Sequence, residues 1–478
     1  MAVSPSIPPI IQGGMGVGIS DWHLARAVSL RGQLGVISGT AIDTVIVRRL
    51  QDGDAGGHVR RAMAAFPMPG VAADALRLYF LPAGREPGTP YKLLPMYKQV
   101  MSPARQLVTV LAAFVEVFLA KEGHPGMVGM NLLTKIQIPT LPALYGAMLA
   151  GVDVILMGAG IPRDIPAALD RMAEHQPATI RFDVEGLPPG REEHLSFDPN
   201  ALWSTTPPAL RRPQFLAIIA SNSLATMLAR KASGRIDGFI IEGPTAGGHN
   251  APPRGKAQYN DLGEPIYGER DVVDLHEIAE LGLPFWLAGG TGRRGSLGDA
   301  AAVGAAGIQV GTLFAYCEES GLDEALKRAV LEHAARGEVT VSTDPRASPT
   351  GYPFKVVSWP GGPGDPASGD PANGDRERIC DIGGLRVPYY TPEGKIGFRC
   401  PAEPVEAYVK KGGKAEDAVG RQCLCNALTA DIGLGQLRVD GEVEQPLVTS
   451  GDDLVSIGGF LAGRTHFTAG EVLDYLMA

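Results

Sequence analysis

Several features that would point to particular protein classes are absent or sparse in this sequence of 478 residues. Basic residues do not dominate, because 43 Lys and Arg stand against 52 Asp and Glu and give a formal net charge of −9. That balance argues against a nucleic-acid-binding protein, which normally presents a basic face. The first residues, MAVSPSIPPIIQGG, lack a basic start and a long apolar run, so no secretory signal is expected.

Cysteine is also scarce, with five residues in the chain. Few cysteines and no expected export signal indicate a reducing compartment, and we expect a cytoplasmic protein. The most apolar helix candidate, residues 106–120, is too short to span a bilayer and is interrupted by Glu116. It predicts a buried helix, and no membrane association is expected.

Short apolar runs that end in glycine or a small polar residue recur along the chain, with helical spacing between them. There are eight, at residues 8–14, 33–39, 126–133, 151–160, 214–221, 237–243, 283–290 and 305–314. Their near-continuous apolar character is typical of parallel strands covered on both faces. The alternation of eight strands with helices favours a (β/α)8 TIM barrel, an α/β fold, over an open doubly wound sheet. Residues 178–186 fit either a further strand or an excursion.

Two long segments interrupt this alternation. Residues 40–125 are far longer than an ordinary βα connection and predict a helical insertion that caps one mouth of the barrel. Residues 359–378, rich in Gly, Pro and Asp, predict a linker. The expected organisation is therefore a barrel over 1–358, a linker over 359–378 and a C-terminal extension over 379–478.

The extension contains Cys380, Cys400, Cys423 and Cys425. Four thiolates could hold zinc or an iron–sulfur cluster. However, the C-x-C pair is tighter than the common C-x2-C arrangement, and neither single cysteine has a close partner in sequence. We therefore expect reduced thiols and no metal. Cys317 is expected to be a packed small residue.

The glycines cluster at the carboxyl ends of the predicted strands, where barrel enzymes place their active sites. Glycine turns after the last two strands are a recurrent phosphate site in such barrels. Gly289, Gly290, Gly311 and Thr312 therefore predict a phosphate cup, the alternative being turns that only the fold requires.

The stretch GGMGVG, residues 13–18, follows the first strand. Its third glycine comes too early for a dinucleotide fingerprint, and no acidic residue closes a second strand at the expected distance. It does offer bare backbone that a flat ring can approach, with Met15 as a soft apolar contact. A phosphate cup and a backbone shelf suit a phosphorylated planar cofactor, and flavin mononucleotide (FMN) fits best.

On these residues the sequence resembles the nitronate monooxygenase family, also called 2-nitropropane dioxygenase-like. The resembling segments are PIIQGGMGVG (9–18), MNLL (130–133), EGPTAGGHNAPPRG (242–255), PFWLAGGTG (284–292) and GAAGIQVGTLFAYCEES (304–320). The resemblance spans roughly residues 8–355 and implies an FMN-dependent TIM barrel that oxidises alkyl nitronates with dioxygen. The long insertion, the sequence HNAPPRGK and the cysteine-bearing tail depart from the usual family pattern, and these departures concern the substrate.

The same resemblance implies roles for individual residues. Gly13, Gly14 and Met15 would lie against the flavin ring, and Asn131 would bind FMN from the third strand. The other residues expected at the cofactor are Gly247, Gly248, Gly289, Gly290, Gln309, Gly311 and Thr312.

His249 aligns with the family's active-site histidine. A lone histidine in a glycine loop is by default structural, but its position at the end of a strand favours catalysis. Unperturbed, it titrates near pH 6.5, so it could remove a proton from a nitroalkane or orient a nitronate already formed. Arg254 and Lys256 could neutralise an anionic substrate or be ordinary solvated cations. Glu242 could bond loop amides or orient a ligand, and the structural role is favoured.

Two other functions compete with this one. An FMN-dependent enoyl reductase would use NAD(P)H and could receive an acyl chain through the 40–125 segment. A flavin- or phosphate-binding protein without chemistry is the third reading. The expected partners are a small-molecule substrate and dioxygen, with no nucleic acid or membrane, and a homodimer is allowed.

Overall fold

Eight short strands lie at the centre of this computed structural model, which describes residues 6–205, 207–363, 365, 378–439 and 441–478. The strands are β1 (Ile10–Gln12), β2 (Gly35–Ser38), β3 (Val128–Leu133), β4 (Val154–Gly158), β5 (Gln214–Ile219), β6 (Gly238–Glu242), β7 (Phe285–Ala288) and β8 (Gly307–Val310). All neighbouring pairs are parallel, in the order β1-β8-β7-β6-β5-β4-β3-β2.

Backbone hydrogen bonds beside β1 and β2 close the sheet. The N–H of Gln12 donates to the carbonyl of Leu34 (2.9 Å), and the N–H of Leu34 donates to that of Ile10 (3.1 Å). Each predicted apolar run supplies one strand, so the (β/α)8 TIM barrel is confirmed. The ambiguous residues 178–186 belong instead to an antiparallel hairpin of Ala178–Phe182 with Glu193–Phe197, outside the barrel sheet.

Helices surround the barrel and continue into the C-terminal extension. They are α1 (Trp22–Leu30), α2 (Ile42–Gln51), α3 (His58–Ala64), α4 (Pro69–Tyr79), α5 (Pro103–Lys121), α6 (Thr140–Leu149), α7 (Ile165–Ala173), α8 (Asn222–Lys231), α9 (Leu275–Ala279), α10 (Ser296–Ala302), α11 (Thr312–Ala315), α12 (Glu324–Ala335), α13 (Val405–Lys410), α14 (Leu424–Ala430), α15 (Ile457–Leu461) and α16 (Ala469–Met477). Two further antiparallel hairpins pair Thr340–Asp344 with Phe354–Ser358 and Val387–Tyr390 with Ile396–Arg399.

Alternate residues of the strands fill the barrel interior. One apolar cluster there contains Ile11, Leu34, Val36, Val154, Leu156, Leu216, Ile240 and Trp286. Because side chains alternate along a strand, the residues two positions nearer the carboxyl ends face the same interior. They are Gly158, Ile218, Glu242 and Ala288, and all four line the cavity described below.

The helix predicted over residues 106–120 is α5. By length and composition it could cross a membrane, but 72% of its apolar window is buried, and it packs against α1 and α6. Gly146 of α6 permits that close approach, because a Cβ there would lie 2.1 Å from the carbonyl oxygen of Val110. The apolar pattern of α5 is therefore that of an interior helix on the flank of the barrel.

A partly buried cation joins α1, α2 and α5. The Arg49 guanidinium lies 3.0 Å from Asp21, which caps the N-terminus of α1, and 2.7 Å from Glu116. Both carboxylates are almost fully buried, and Glu116 also accepts a hydrogen bond from the N–H of Trp22 (2.9 Å). The charge that interrupts the apolar pattern of α5 thus fixes three helices together.

The C-terminal extension packs against the barrel. The N–H of Val357 donates to the carbonyl of Val448 (2.9 Å), the N–H of Glu318 donates to that of Phe467 (2.8 Å), and α16 contacts α1. Most of the predicted linker, 359–378, lies outside the described residues. The boundaries expected at 358 and 379, and the capping role of residues 40–125, stay predictions.

Arg49→Met removes the cation shared by two buried carboxylates. We expect the free energy of unfolding at pH 7 to fall by about 3–5 kcal/mol, the usual effect of leaving buried charge unpaired. The loss should shrink as the pH falls toward about 4, because protonation removes the unpaired charges. Urea unfolding at pH 7 and pH 5 measures both effects.

Arg77→Met is the matched control for this variant. Arg77 is 68% exposed and pairs with an exposed Asp74, so its loss should change the stability by less than about 0.5 kcal/mol. Equal losses in the two variants would contradict the role given to Arg49.

Candidate active site

A cavity of about 220 Å³ opens at the carboxyl ends of the barrel strands. Every residue that the sequence places at the site lines this one cavity: Gly13, Gly14, Met15, Asn131, Gly247, Gly248, His249, Gly289, Gly290, Gln309, Gly311 and Thr312. They lie on or directly after β1, β3, β6, β7 and β8. The fold thus brings the whole predicted set together, while the role of each residue stays a prediction.

The turn after β1 has room for glycine alone. A Cβ on Gly14 would lie 2.4 Å from the Cβ of Asn131, closer than side-chain carbons approach one another. Asn131 holds this turn, since its Nδ2 donates to the carbonyl of Gly14 (2.9 Å). Ser20 holds it as well, because its Oγ accepts from the N–H of Met15 (2.9 Å). The bare backbone expected beside a flat ring is therefore present and fixed.

Two buried amide oxygens face the cavity without partners. Oδ1 of Asn131 and Oε1 of Gln309 accept no hydrogen bond from any described residue. An unpaired buried acceptor costs about 1–3 kcal/mol, so such groups usually receive a donor from water or a ligand. A flavin carries suitable donors in its ring N–H and its ribityl hydroxyls. The polar groups of the cavity thus fit the predicted cofactor.

The turns after β7 and β8 meet at the same cavity, and the β8 turn lies beside the β1 turn, where a Cβ on Gly311 would lie 3.4 Å from Sδ of Met15. Gly289 and Gly290 have φ of +87° and +70°, values that strongly favour glycine. A Cβ on Gly289 would also lie 2.9 Å from Oγ1 of Thr245. The Thr291 hydroxyl donates to the carbonyl of Gln309 (2.7 Å) and so ties the two turns together. These are the turns for which the sequence predicts a phosphate cup, and that role stays a prediction.

Residues 449–453, here called the C-terminal strap, lie along this cup and the loop of His249. The N–H of Gly248 donates to Oγ1 of Thr449 (2.9 Å), and the N–H of Gly451 donates to Oγ1 of Thr312 (3.2 Å). The N–H of Gly292 donates to the carboxylate of Asp453 (2.9 Å). An acidic side chain therefore stands beside the turn after β7, and nothing in the sequence of the tail indicated it.

His249 is held from one side by a hydroxyl. Its Nε2 lies 2.6 Å from Oγ of the buried Ser348, and its ring contacts that of Phe354 edge to face, with centroids 4.8 Å apart. Burial, together with the nearby Lys135 cation, lowers the pKa of His249 to about 4. The value near 6.5 expected from the sequence therefore does not hold in this environment, and the imidazole is neutral at pH 7.

Glu242 ends β6 and lines the same cavity. Burial raises the pKa of its carboxyl to about 7. The sequence analysis expected it to bond loop amides, but no described residue donates a hydrogen bond to it. The amide of Gly248 is bonded instead by Thr449, and that of Asn250 by the carbonyl of Pro353. Glu242 is thus a titratable group at the cavity, a property that the sequence did not indicate.

The remaining wall of the cavity is apolar and comes largely from the C-terminal extension. Its aliphatic residues include Ile136, Ile382, Leu385, Leu424 and Leu428. Arg254 and Lys256 are both exposed, but Arg254 lines an adjoining cavity shared with His249 and Glu242, whereas Lys256 lines neither of these two cavities. Of the two candidate cations from the sequence, Arg254 is therefore the nearer, and Lys135 is a cation that the sequence analysis missed.

Comparisons with known proteins match part of the chain. The family model of nitronate monooxygenase matches residues 205–347. A nitronate monooxygenase from Paraburkholderia phytofirmans is 29% identical over 171 residues, which are 36% of this chain and 41% of that relative. The match therefore spans less than half of the relative's length.

Two solved structures are similar over almost the whole chain but at low identity. Nitroalkane oxidase from Streptomyces ansochromogenes is 15% identical with a TM-score of 0.46, covering 98% of this chain and 94% of that one. FabK from Thermotoga maritima is 16% identical with a TM-score of 0.45, covering 98% and 91%. At these values neither likeness carries an argument about function. The segment matched by the family model of nitronate monooxygenase contains His249, Gly289, Gly290, Gly311 and Thr312, so the similarity covers part of the candidate site.

Proposed function

We propose that this protein is an FMN-dependent enzyme of the cytoplasm that oxidises alkyl nitronates with dioxygen. The observation that carries the proposal is the convergence of His249, two unpaired amide oxygens and both glycine turns on one cavity. The five free cysteines support a reducing compartment.

The residues that would hold FMN fall into two groups. Gly13, Gly14, Met15 and Asn131 would contact the ring. The ribityl phosphate would lie against Gly289, Gly290, Gln309, Gly311 and Thr312. When bound, FMN supplies the redox centre that couples oxidation of the substrate to dioxygen.

A neutral His249 suits a substrate that is already an anion. A general base works best when its pKa lies near the operating pH, and a pKa of about 4 makes a weak base at pH 7. Oγ of Ser348 lies 2.8 Å from the Thr350 hydroxyl as well, and when that hydroxyl donates to Ser348, the Ser348 proton is available to Nε2 of His249. In that tautomer Nδ1 carries a proton and donates to the anion. The environment of His249 thus favours orienting a nitronate over deprotonating a nitroalkane.

Charges around the histidine support the same substrate. Lys135 is close enough to act on His249 and would attract an anion. Glu242 is neutral below a pH of about 7, when it does not repel an anion, and ionised above it. The protein would therefore bind a nitronate best with the proton held on Glu242.

The apolar wall favours a second candidate, an FMN-dependent enoyl reductase, since aliphatic side chains suit an acyl chain. Anaerobic stopped-flow mixing with propyl-2-nitronate and, separately, with NADPH distinguishes the two functions. We expect the flavin absorbance band to bleach with the nitronate and not with NADPH. Bleaching with NADPH alone would favour the reductase, and bleaching with neither would contradict both functions.

His249→Ala should keep FMN bound and lower the rate of this bleaching by about 10²-fold, the lower end of what a positioned hydrogen-bonding or proton-transfer group contributes. Ser223→Ala, at an exposed position of α8, is the control and should react like the wild type. An unaltered rate in His249→Ala would remove the histidine from the reaction.

The pH dependence of KM for the nitronate should follow the ionisation of Glu242. As the carboxyl ionises, KM for the nitronate should rise by up to about tenfold per pH unit above pH 7, because a buried carboxylate repels the anion. Glu242→Gln cannot ionise and should remove this rise while keeping activity at pH 6. KM measured from pH 6 to pH 9 in both proteins makes the comparison, and an unchanged rise in the variant would exclude Glu242 as its cause.

Asp453 opposes the phosphate of FMN by its charge. Burial raises the pKa of this carboxyl, while the Gly292 N–H and the Arg293 cation favour its ionised form. Asp453→Asn keeps an oxygen for the Gly292 N–H and removes the charge. The Kd of FMN should then fall by about five- to tenfold, as expected for one charge pair near a protein surface.

Riboflavin, which has no phosphate, is the control for this variant, and its Kd should not change. Quenching of flavin fluorescence by the apoprotein measures both ligands. Equal changes for FMN and riboflavin, or weaker FMN binding, would show that Asp453 does not act on the phosphate.

A further inference from the structure

The adjoining cavity that Arg254 lines, here called the side pocket, has a volume of about 230 Å³, similar to that of the large cavity. Ala159, Ile218, Glu242 and His249 line both cavities. These four residues lie at the carboxyl ends of β4, β5 and β6, which are neighbours in the barrel, or in the loop after β6. The two cavities therefore meet on this side of the barrel mouth, and the histidine and the carboxyl lie where they meet.

The two cavities have different walls. Every residue expected to hold FMN lines the large cavity and not the side pocket, and much of the wall of the large cavity comes from the C-terminal extension. The described lining of the side pocket comes instead from the segments 159–161, 218–224, 242–244 and 249–271, together with Tyr352. FMN bound in the expected position would therefore leave the side pocket as the space from which a second molecule can contact His249.

The side pocket opens to solvent. Ile161, Ala251, Pro252 and Arg254 line it and are exposed, whereas His249 is half-buried. A small molecule can thus pass from solvent to the histidine between the loops after β4, β5 and β6. This path does not require the C-terminal extension to move.

Arg254 lies across the outer part of the side pocket. Its backbone N–H donates to Asp271 (2.8 Å), and its guanidinium donates to the carbonyl of Ala220 beyond the end of β5 (3.4 Å). Because a guanidinium has five N–H donors, it can bind an anion and keep this bond. Asp271 also lines the pocket, but its two oxygens accept the N–H groups of Arg254 and Gly268 (2.8 Å each), which partly offset its charge. The outer part of the pocket can therefore attract an anion.

We infer that the side pocket is the substrate site and takes a small nitronate, which enters past Arg254 and places its anionic group beside His249. The identity of this ligand rests on the function proposed above, whereas the position of the pocket does not. Its volume is below the range of about 300–1,000 Å³ that is usual for drug-sized ligands, so we expect a substrate with few carbon atoms. A long acyl chain would need the apolar wall of the large cavity instead.

A removable block at the rim of the side pocket tests this inference. Ala251→Cys introduces a thiol at an exposed lining position. Benzyl methanethiosulfonate attaches an aromatic group to it through a disulfide, and dithiothreitol removes that group, so the comparison is made within one folded protein. We expect the modification to lower the second-order rate constant for anaerobic bleaching of the flavin by propyl-2-nitronate at least about tenfold, because the substrate is displaced from the histidine. Dithiothreitol should restore the rate of the unmodified variant.

Ala335→Cys is the matched control. Ala335 is also an exposed alanine, lies at the end of α12 and lines neither cavity. The same modification there should leave the rate unchanged, and this result would show that reaction of the native cysteines with the reagent does not affect it.

Binding of isobutyrate provides a measurement that does not depend on turnover. This carboxylate has the shape and charge of propyl-2-nitronate and lacks its nitro group. Calorimetry on the FMN-loaded protein should show its Kd rising at least about tenfold in modified Ala251→Cys, in parallel with the rate. In Arg254→Gln, at low ionic strength, the Kd should rise about two- to fivefold, as expected for an exposed ion pair.

The outcomes separate this inference from the proposed function. A protein that binds isobutyrate in the side pocket and does not react with the nitronate would contradict the reaction and retain the site. A protein that reacts with the nitronate at the same rate before and after modification of Ala251→Cys would overturn the side pocket and retain the reaction. Neither reaction nor binding of isobutyrate would overturn both.

Discussion

The site depends above all on the closure of eight very short parallel strands. With three to six residues each, the strands supply only a few inward-facing side chains before they reach the cavity. Strand alternation fixes the direction of the Glu242 side chain, because Ile240, two residues earlier, is buried inside the barrel and Glu242 must therefore face the cavity. The raised pKa of Glu242 follows from this position, since its carboxyl is desolvated and has no described donor. Packing of the barrel thus creates the titratable group at the site.

The C-terminal extension is packed tightly against the barrel loops at the cavity. A Cβ on Gly247 would lie 2.8 Å from the N of Gly451, and a Cβ on Gly451 would lie 2.8 Å from Oγ1 of Thr312. Such close approaches to a backbone nitrogen and to a side-chain oxygen require glycine at both positions. The strap, the loop of His249 and the turn after β8 are therefore packed as one unit, and the barrel strands alone would leave this loop without its partner.

The sequence predicts those features that depend on local pattern. Apolar runs of four to eight residues mark buried strands wherever they occur, and glycines after them mark the turns, so the barrel and the lining of its cavity could both be anticipated. The environment of His249 could not, because Ser348 is 99 positions away and Lys135 belongs to another strand connection. Asp453 lies 161 positions from Gly292. No spacing rule in the sequence joins residues at such separations.

The cysteines of the C-terminal extension are also distant in sequence and close in space. Their spacing along the chain did not indicate that the four thiols line one small cavity, because motif spacing describes only residues carried by one or two turns. Here a hairpin returns Cys400 toward Cys380, and α14 brings Cys423 and Cys425 to both. Chain distance has then no bearing on whether the thiols meet.

The charge of the proposed substrate affects Glu242 and His249 differently. An anion that enters the cavity raises the pKa of a nearby carboxyl, because like charges disfavour ionisation. Glu242, whose pKa is already about 7, would therefore take up a proton as a nitronate binds near neutral pH. His249, with a pKa of about 4, stays neutral through the same range and can donate through its ring N–H. The desolvation that makes the histidine a poor base is thus the property that lets the cavity accept a preformed anion.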